Sequence, residues 1–421
     1  MKEKNSIEKN GLIVLVLTTI SSAVNYLSQI LMGRFLDISS YGTINSVFSI
    51  MLITGVVGTT LSMISSKVVA ENLAMGRMDK NETYINALAG WLFMGCFVVL
   101  IISIFFMLVM DRFSKQNIIT TFIIIAVVVT SLIPPFFQGA LGGLQEFVLL
   151  GFYTLVIPVV KMMGVITLKI FRTEGIFGMC IVFISIIIGN IIAMVIGAAI
   201  LKNKNIKLHI RKIICQIKNN KIEKYYIDSF VVNIFMMILM NADVLYLKFA
   251  VGSKEAGLYS SGLMFGRVIY YCVTALVSVL LPMVAFNSCA NDRKSLSMLN
   301  KTLGFTLGLT ILFLIPVNIF AEKLLGMIFG SKYWTAVPYI KYSSFISIST
   351  SLNMILMNYM LGIEKVSFFK KTLICGCGIF MINVVLLFHR QYLTLFILGM
   401  IGMLIFIINY IYCVMIEKTE E

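Results

Sequence analysis

The sequence predicts an all-α polytopic membrane protein, with twelve transmembrane helices in two parallel six-helix lobes. Three observations carry that prediction. Of 421 residues, 59% are hydrophobic and 13% charged, whereas soluble domains hold about 25% charged residues. The mean hydropathy is +0.96, and many windows hold about 20 mostly apolar residues, the length a helix needs to cross a ~30 Å hydrocarbon core. A weak internal repeat divides the chain in two. Six prolines in all, and strings such as Ile118 to Leu132 and Leu393 to Ile408, point to helices rather than the alternating strands of a membrane barrel.

Apolar runs between charged or Gly/Asn/Ser breaks place spans at about 12–33, 44–66, 84–109, 118–142, 148–170, 176–201, 226–250, 257–284, 299–320, 338–360, 372–388 and 392–415. The first follows Lys2, Lys4 and Lys9 but runs on past Asn25 and Gln29 without a convincing cleavage site, so it reads as a retained helix rather than a signal peptide. The fifth contains Pro158, which is expected to kink the helix and free a carbonyl. Between spans six and seven, Lys202 to Lys224 carries eight basic residues and one acid, with Ile206, Ile210, Ile213 or Ile214, and Ile217 at helical spacing. That pattern is an amphipathic helix on the inner leaflet. The domain plan is thus a first lobe over 1–201, a basic linker over 202–224 and a second lobe over 225–421. The longest external segment is only about Ala321 to Val337, which leaves no soluble domain to host a site.

Lys plus Arg number 34 against 19 Asp plus Glu, a net charge of +15. Nucleic acid is not the expected partner. With the N-terminus in the cytoplasm, the basic residues favour cytoplasmic segments by roughly two to one, as the positive-inside rule requires of an even number of spans. The expected location is therefore the cell membrane, with both termini on its cytoplasmic side and membrane lipids as neighbours. The eight cysteines are scattered and expected as free thiols, and Cys375-Gly376-Cys377 lacks the His or carboxylate partners of a metal site. His209 and His389 form no constellation. No phosphate-cradling loop is present, so no cofactor is expected, and energy would come from a proton or sodium gradient or from the substrate's own gradient.

The repeat emerges at an offset of 216, where Asn25 falls on Asn241, Leu31 on Leu247 and Ser62 on Ser278. It drifts to 219 where Leu141 to Phe147 faces Met360 to Val366. Six spans per half make the halves parallel repeats, one of the two plans of secondary transporters, in which substrate binds between the lobes near the midplane.

Polar residues within spans mark a hydrated path. The first span carries Ser21, Asn25, Ser28 and Gln29 on one side. The eighth carries Arg267, Tyr271, Thr274 and Ser278, and the tenth a series from Ser343 to Asn358. A single Ser or Thr is explained by helix packing or back-bonding, but stripes several turns long read as the lining of a cavity. Ionisable groups at membrane depth cost several kcal/mol unless paired or hydrated, a cost of about 2.5–3.5 kcal/mol on insertion scales. Lys161 in the fifth span reads as a functional cation, its rival a lysine that snorkels or pairs structurally. Asp243 is read as an ion-pair partner of Arg267 or as a proton or sodium site, and it lies on the opposite helix face from Asn241. Three in-span cations, Lys161, Arg267 and Lys341, against one anion favour an anionic substrate and disfavour a cationic drug.

These residues resemble the polysaccharide transporters, the Wzx-like lipid-linked oligosaccharide flippases of the MOP exporter superfamily, which are related to the MATE transporters. The resemblance rests on Gly33-Arg34-Phe35-Leu36 through Tyr41-Gly42, Gln138 to Leu144, Asn241 to Leu245 through Ala256 to Ser260, and Phe329 to Tyr333, in that order. It implies two six-helix lobes, alternating access, and movement of an undecaprenyl-pyrophosphate-linked oligosaccharide across the cytoplasmic membrane for capsule or O-antigen-like polymer, alongside other polysaccharide-assembly proteins. Lys161, Arg267, Lys341 and Lys248 would then meet pyrophosphate or acidic sugars. Asn25, Gln29, Asn241 and Tyr271 would line the cavity.

Three other readings differ in the features they require. Lipid II flippases resemble the chain but usually have fourteen spans. Multidrug exporters share twelve, and a carboxylate deep in the first span would favour them, where this chain has Asn25 and Gln29. A membrane polymerase would need a large external loop with Arg, or an in-membrane His with a carboxylate.

Overall fold

The computed structural model describes the backbone of residues 2–74, 78–110, 118–204, 206, 224–289, 294–363, 365–388 and 390–419. Nearly all of it is helix. In chain order come α1 (Lys2–Phe35), α2 (Ile38–Thr54), α3 (Val56–Ala74), α4 (Met78–Met110), α5 (Ile118–Thr130), α6 (Ile133–Gly143), α7 (Phe147–Phe171) and α8 (Gly175–Asn203). They are followed by α9 (Lys224–Ala250), α10 (Ser253–Cys289), α11 (Lys294–Ile319), the short α12 (Ala321–Phe329), a 3-10 turn (Ser331–Ala336), α13 (Val337–Gly362), α14 (Ser367–Leu386) and α15 (Gln391–Thr419).

Among the described residues, ten segments are long and apolar enough to cross a membrane. With the long helices α1 and α10 they make up the twelve spans expected. The apolar surface fits that setting: Phe93, Phe177 and Leu312 are 69%, 79% and 78% exposed, a cost that only lipid removes. The expected amphipathic linker helix falls mostly on residues 207–223, outside the described residues.

Two expected spans are broken rather than straight. The second divides at Gly55 into α2 and α3, where Thr54 Oγ1 donates to the carbonyls of Ile50 and Met51. The fourth divides before Pro134 and Pro135, which open α6, while Ser131 Oγ donates to the carbonyl of Val128. Hydroxyls bonded back into the preceding turn and prolines without an N–H both loosen the helical ladder. The fifth span, by contrast, runs unbroken through Pro158.

The chain forms two compact units, one of residues 1–37 and 50–226, the other of 38–49 and 227–421. In the first unit, α1 packs along α7, α3 along α6, and α7 along α8. Gly139 makes the α3–α6 contact close: a Cβ there would stand 2.2 Å from the carbonyl oxygen of Ser62. In the second unit, α10 and α15 flank α13, the most deeply buried span. The first half of α2 joins this unit through a reciprocal glycine contact. A Cβ on Gly42 would stand 1.9 Å from the Ser253 oxygen, and one on Gly257 2.0 Å from the Ile38 oxygen. Small residues let helix backbones approach where lipid offers no hydrophobic drive between helices. Tyr41 then packs on Phe329 and Tyr333, anchoring α12, whose Ala321, Leu325 and Phe329 face inward at four-residue spacing.

Candidate functional site

In the first unit the polar stripe of α1 faces α7. Ser21 Oγ donates 2.8 Å to the carbonyl oxygen of Thr154. That carbonyl belongs to the residue four before Pro158, which has no N–H to give it, so the freed acceptor finds its donor on the neighbouring helix. Ser21→Ala is expected to lower stability by about 1 kcal/mol, read as a drop in the melting temperature of the purified protein.

One turn further along α1, the Lys161 ammonium donates to Asn25 Oδ1. Lys161 is 5% exposed and Gln29, the next polar residue on that face, 6%. Gln29 Oε1 is buried without a hydrogen-bond donor among the described residues. The sequence supplies no Asp or Glu to residues 10–36, 118–143, 147–171 or 175–203. A buried ammonium, a neutral amide and an unsatisfied acceptor thus gather in a bundle whose spans are almost free of carboxylates.

In the second unit Asp243 on α9 is fully buried. Its Oδ1 accepts 2.7 Å from the backbone N–H of Val244, and its Oδ2 accepts from the Tyr259 hydroxyl on α10. Arg267, half-buried, bears on the carboxylate through space without bonding to it. The reason is register. Across the turn at Gly252, Tyr259 lies seven residues on and Asp243 nine back, whereas Arg267 lies fifteen on, about 12 Å further along the helix than Tyr259. Similar distance from the turn, seven residues against nine, was the signal in the sequence that identifies Tyr259. Tyr259→Phe is expected to cost about 2 kcal/mol, as befits a hydrogen bond to a charged group, and to lower the melting temperature more than Arg267→Gln does. The reverse order would make the long-range charge the stronger contact.

The remaining sequence-chosen residues are dispersed. Asn241 is buried, its amide donating 2.9 Å to the Met237 carbonyl of its own helix. Lys248 is held by hydroxyls, donating 2.8 Å to Thr43 Oγ1 and also to Ser253 Oγ. These partners, absent from the sequence expectation, tie the first half of α2 to the α9–α10 turn. Lys341 is exposed on α13 with no bonded partner among the described residues. The side chain of Tyr271 lies outside the described residues. Within the units, then, the structure joins Lys161 with Asn25 beside Gln29, and sets Asp243 near Arg267.

Solved structures of the same architecture exist at low identity. The chain superposes on an inward-facing multidrug resistance MATE family transporter of the MOP superfamily with a TM-score of 0.69 at 10% identity, covering 97% of this chain and 98% of that one. The fold is that of a MATE transporter. A Vibrio cholerae MATE transporter mutant gives 0.60 at 14% identity over 98% and 97%. A MOP superfamily transporter from Pyrococcus furiosus gives 0.60 at 10% over 98% and 94%. No family model and no curated protein sequence matches the chain. Cargo depends on the side chains placed on a fold rather than on the fold itself.

Proposed function

We propose that the protein is a membrane transporter that flips a lipid-linked oligosaccharide, carried on undecaprenyl pyrophosphate, across the cytoplasmic membrane by alternating access, with both termini on the cytoplasmic side. The observation that carries this reading is Lys161, buried against Asn25 in a unit whose spans α5 to α8 hold no Asp or Glu. A cation at that depth suits phosphate oxygens in a low dielectric. Lys248, Arg267 and Lys341 add positive charge in the second unit, where the nearby carboxylates are already engaged: Asp243 accepts from Tyr259, Asp228 pairs with Lys370 and Glu255 accepts from Tyr339. Asn25, Gln29, Asn241 and Tyr271 supply neutral polar contacts along the route. A proton or sodium ion is the proposed coupling partner, with Asp243 the carboxylate available to it, and polysaccharide-assembly proteins are the proposed functional neighbours.

The second reading is drug export, which the MATE family transporter of like fold favours. Against it, the polar side of α1 offers amides rather than a carboxylate to a cationic drug. The Pyrococcus furiosus transporter is described as having a binding pocket of reversed polarity that suggests a different function, so pocket charge, and not architecture, is the feature to weigh.

Mass spectrometry of membrane lipids from a strain lacking the protein tests the choice. Accumulation of a complete undecaprenyl-linked repeat unit is the expected result. Unchanged lipid-linked sugars, with raised sensitivity to small toxic compounds, would replace the flippase by a drug exporter.

A further inference from the structure

The first unit contains a wide-mouthed, open cavity of about 590 Å³ between α1, α3, α6 and α7, a volume within the ~300–1,000 Å³ typical of small-molecule sites. Thr18, Ser62, Ser66, Lys67, Gln138 and Thr154 are among its lining residues. The side chains of Ser62, Ser66 and Gln138 hold no hydrogen bond among the described residues. Two hydroxyls and an amide therefore present donors and acceptors to the open space. Met63 and Leu150 add apolar wall. A lining that is apolar over the larger part of its area, set with neutral hydrogen-bonding groups and a single cation, suits neither a multiply charged phosphate nor a flat apolar drug without polar groups. It matches a sugar, whose hydroxyls both donate and accept and whose C–H faces are apolar.

Placement adds a second argument. Thr154 and Lys161 are seven residues apart on α7, hence on one face and about 10 Å apart along the axis. The cavity thus lies on the same side of α7 as the buried ammonium, displaced toward the start of that helix. We propose that this cavity is a carbohydrate subsite, which takes a neutral glycosyl unit of a substrate whose anionic group is met by Lys161. The assignment of Lys161 to the anion rests on the flippase reading; the sugar chemistry of the cavity stands on its own lining.

Gly142 offers the sharpest test. A Cβ there would meet only Ser66 Oγ at 3.4 Å and Leu150 Cδ2 at 3.9 Å, ordinary contact distances, so Gly142→Leu fills the cavity without a backbone collision. Gln138→Leu removes the amide at nearly constant volume. Full-length protein in phospholipid nanodiscs is studied by saturation-transfer NMR with free glucose, galactose and N-acetylglucosamine. Wild type is expected to transfer magnetisation to at least one sugar, with the signal reduced at least fivefold in Gly142→Leu and at least twofold in Gln138→Leu, the melting temperature of Gln138→Leu being unchanged.

Absence of transfer from all three sugars, or equal transfer in wild type and Gln138→Leu, overturns the proposal, as does displacement of the sugar by inorganic phosphate. The lipid analysis of the deletion strain separates the two ideas. Sugar transfer without lipid-linked accumulation keeps the subsite and removes the flippase. Accumulation without sugar transfer does the opposite.

Discussion

Lys161→Met is expected to leave protein abundance intact and to raise undecaprenyl-linked repeat units to the level of the deletion strain, a loss of transport of at least tenfold. Methionine keeps the length of the side chain but removes the charge. Replacing a buried ion by an apolar residue of similar volume is often neutral or stabilising, because the desolvation cost disappears with it. Asn25 Oδ1 loses its donor, a smaller penalty of about 1–3 kcal/mol. Folding and function therefore part company in this variant. If the charge serves substrate, transport fails in a stable protein, and Lys161→Arg restores part of it. Normal surface polymer in a well-expressed Lys161→Met strain would remove Lys161 from the transport path. Loss of the protein itself, in both variants, would make it a structural residue.

Gly257→Val is expected to prevent accumulation of folded protein. A Cβ at this position stands 2.0 Å from the Ile38 carbonyl oxygen and 3.0 Å from the Ile38 carbonyl carbon. The obstacle is backbone, which no rotamer change relieves, and α10 has to move away from the start of α2. That displacement also pulls Ser253 from Lys248 and disturbs the reciprocal contact at Gly42. Core overpacking costs about 1–3 kcal/mol where side chains give way, and a backbone collision exceeds that range. The measurement is the monodisperse fraction on size-exclusion chromatography in detergent. Gly304→Ala is the control, since nothing lies within 4 Å of a Cβ there; its expected cost is within the noise of the assay. Equal recovery of Gly257→Val and Gly304→Ala would mean that the second unit tolerates separation of α2 from α10.

Both predictions start from residues visible in the sequence, but they differ in how legible the reason was. Lys161 stands out by depth alone, because any ionisable residue in the middle of an apolar run signals a cost that has to be met. Gly42 and Gly257 carry no local signal of their physical role, which is a contact between residues more than two hundred positions apart. Asp243 shows the limit most clearly. Its burial was readable, yet its bonded partner is Tyr259, which the turn at Gly252 brings level with it, and not the more conspicuous charge at Arg267. Ser62, Ser66 and Gln138 stand in the sequence as separate polar residues and not as the walls of one cavity, since only the close approach of α3 and α6, at Gly139 and Gly143 among other places, brings them together.

The sequence by itself determined the membrane class and the twelve-span plan. Those properties are imposed segment by segment, by a solvent that accepts only apolar helices of sufficient length. Only the tertiary structure decided that spans two and four are broken, that residues 38–49 cluster with the second half of the chain, and that Ser21 takes the carbonyl released by Pro158. Each of these depends on how neighbouring helices are rotated and on how closely their backbones approach. Such pairings are set jointly by distant residues, and no local pattern of hydropathy contains them.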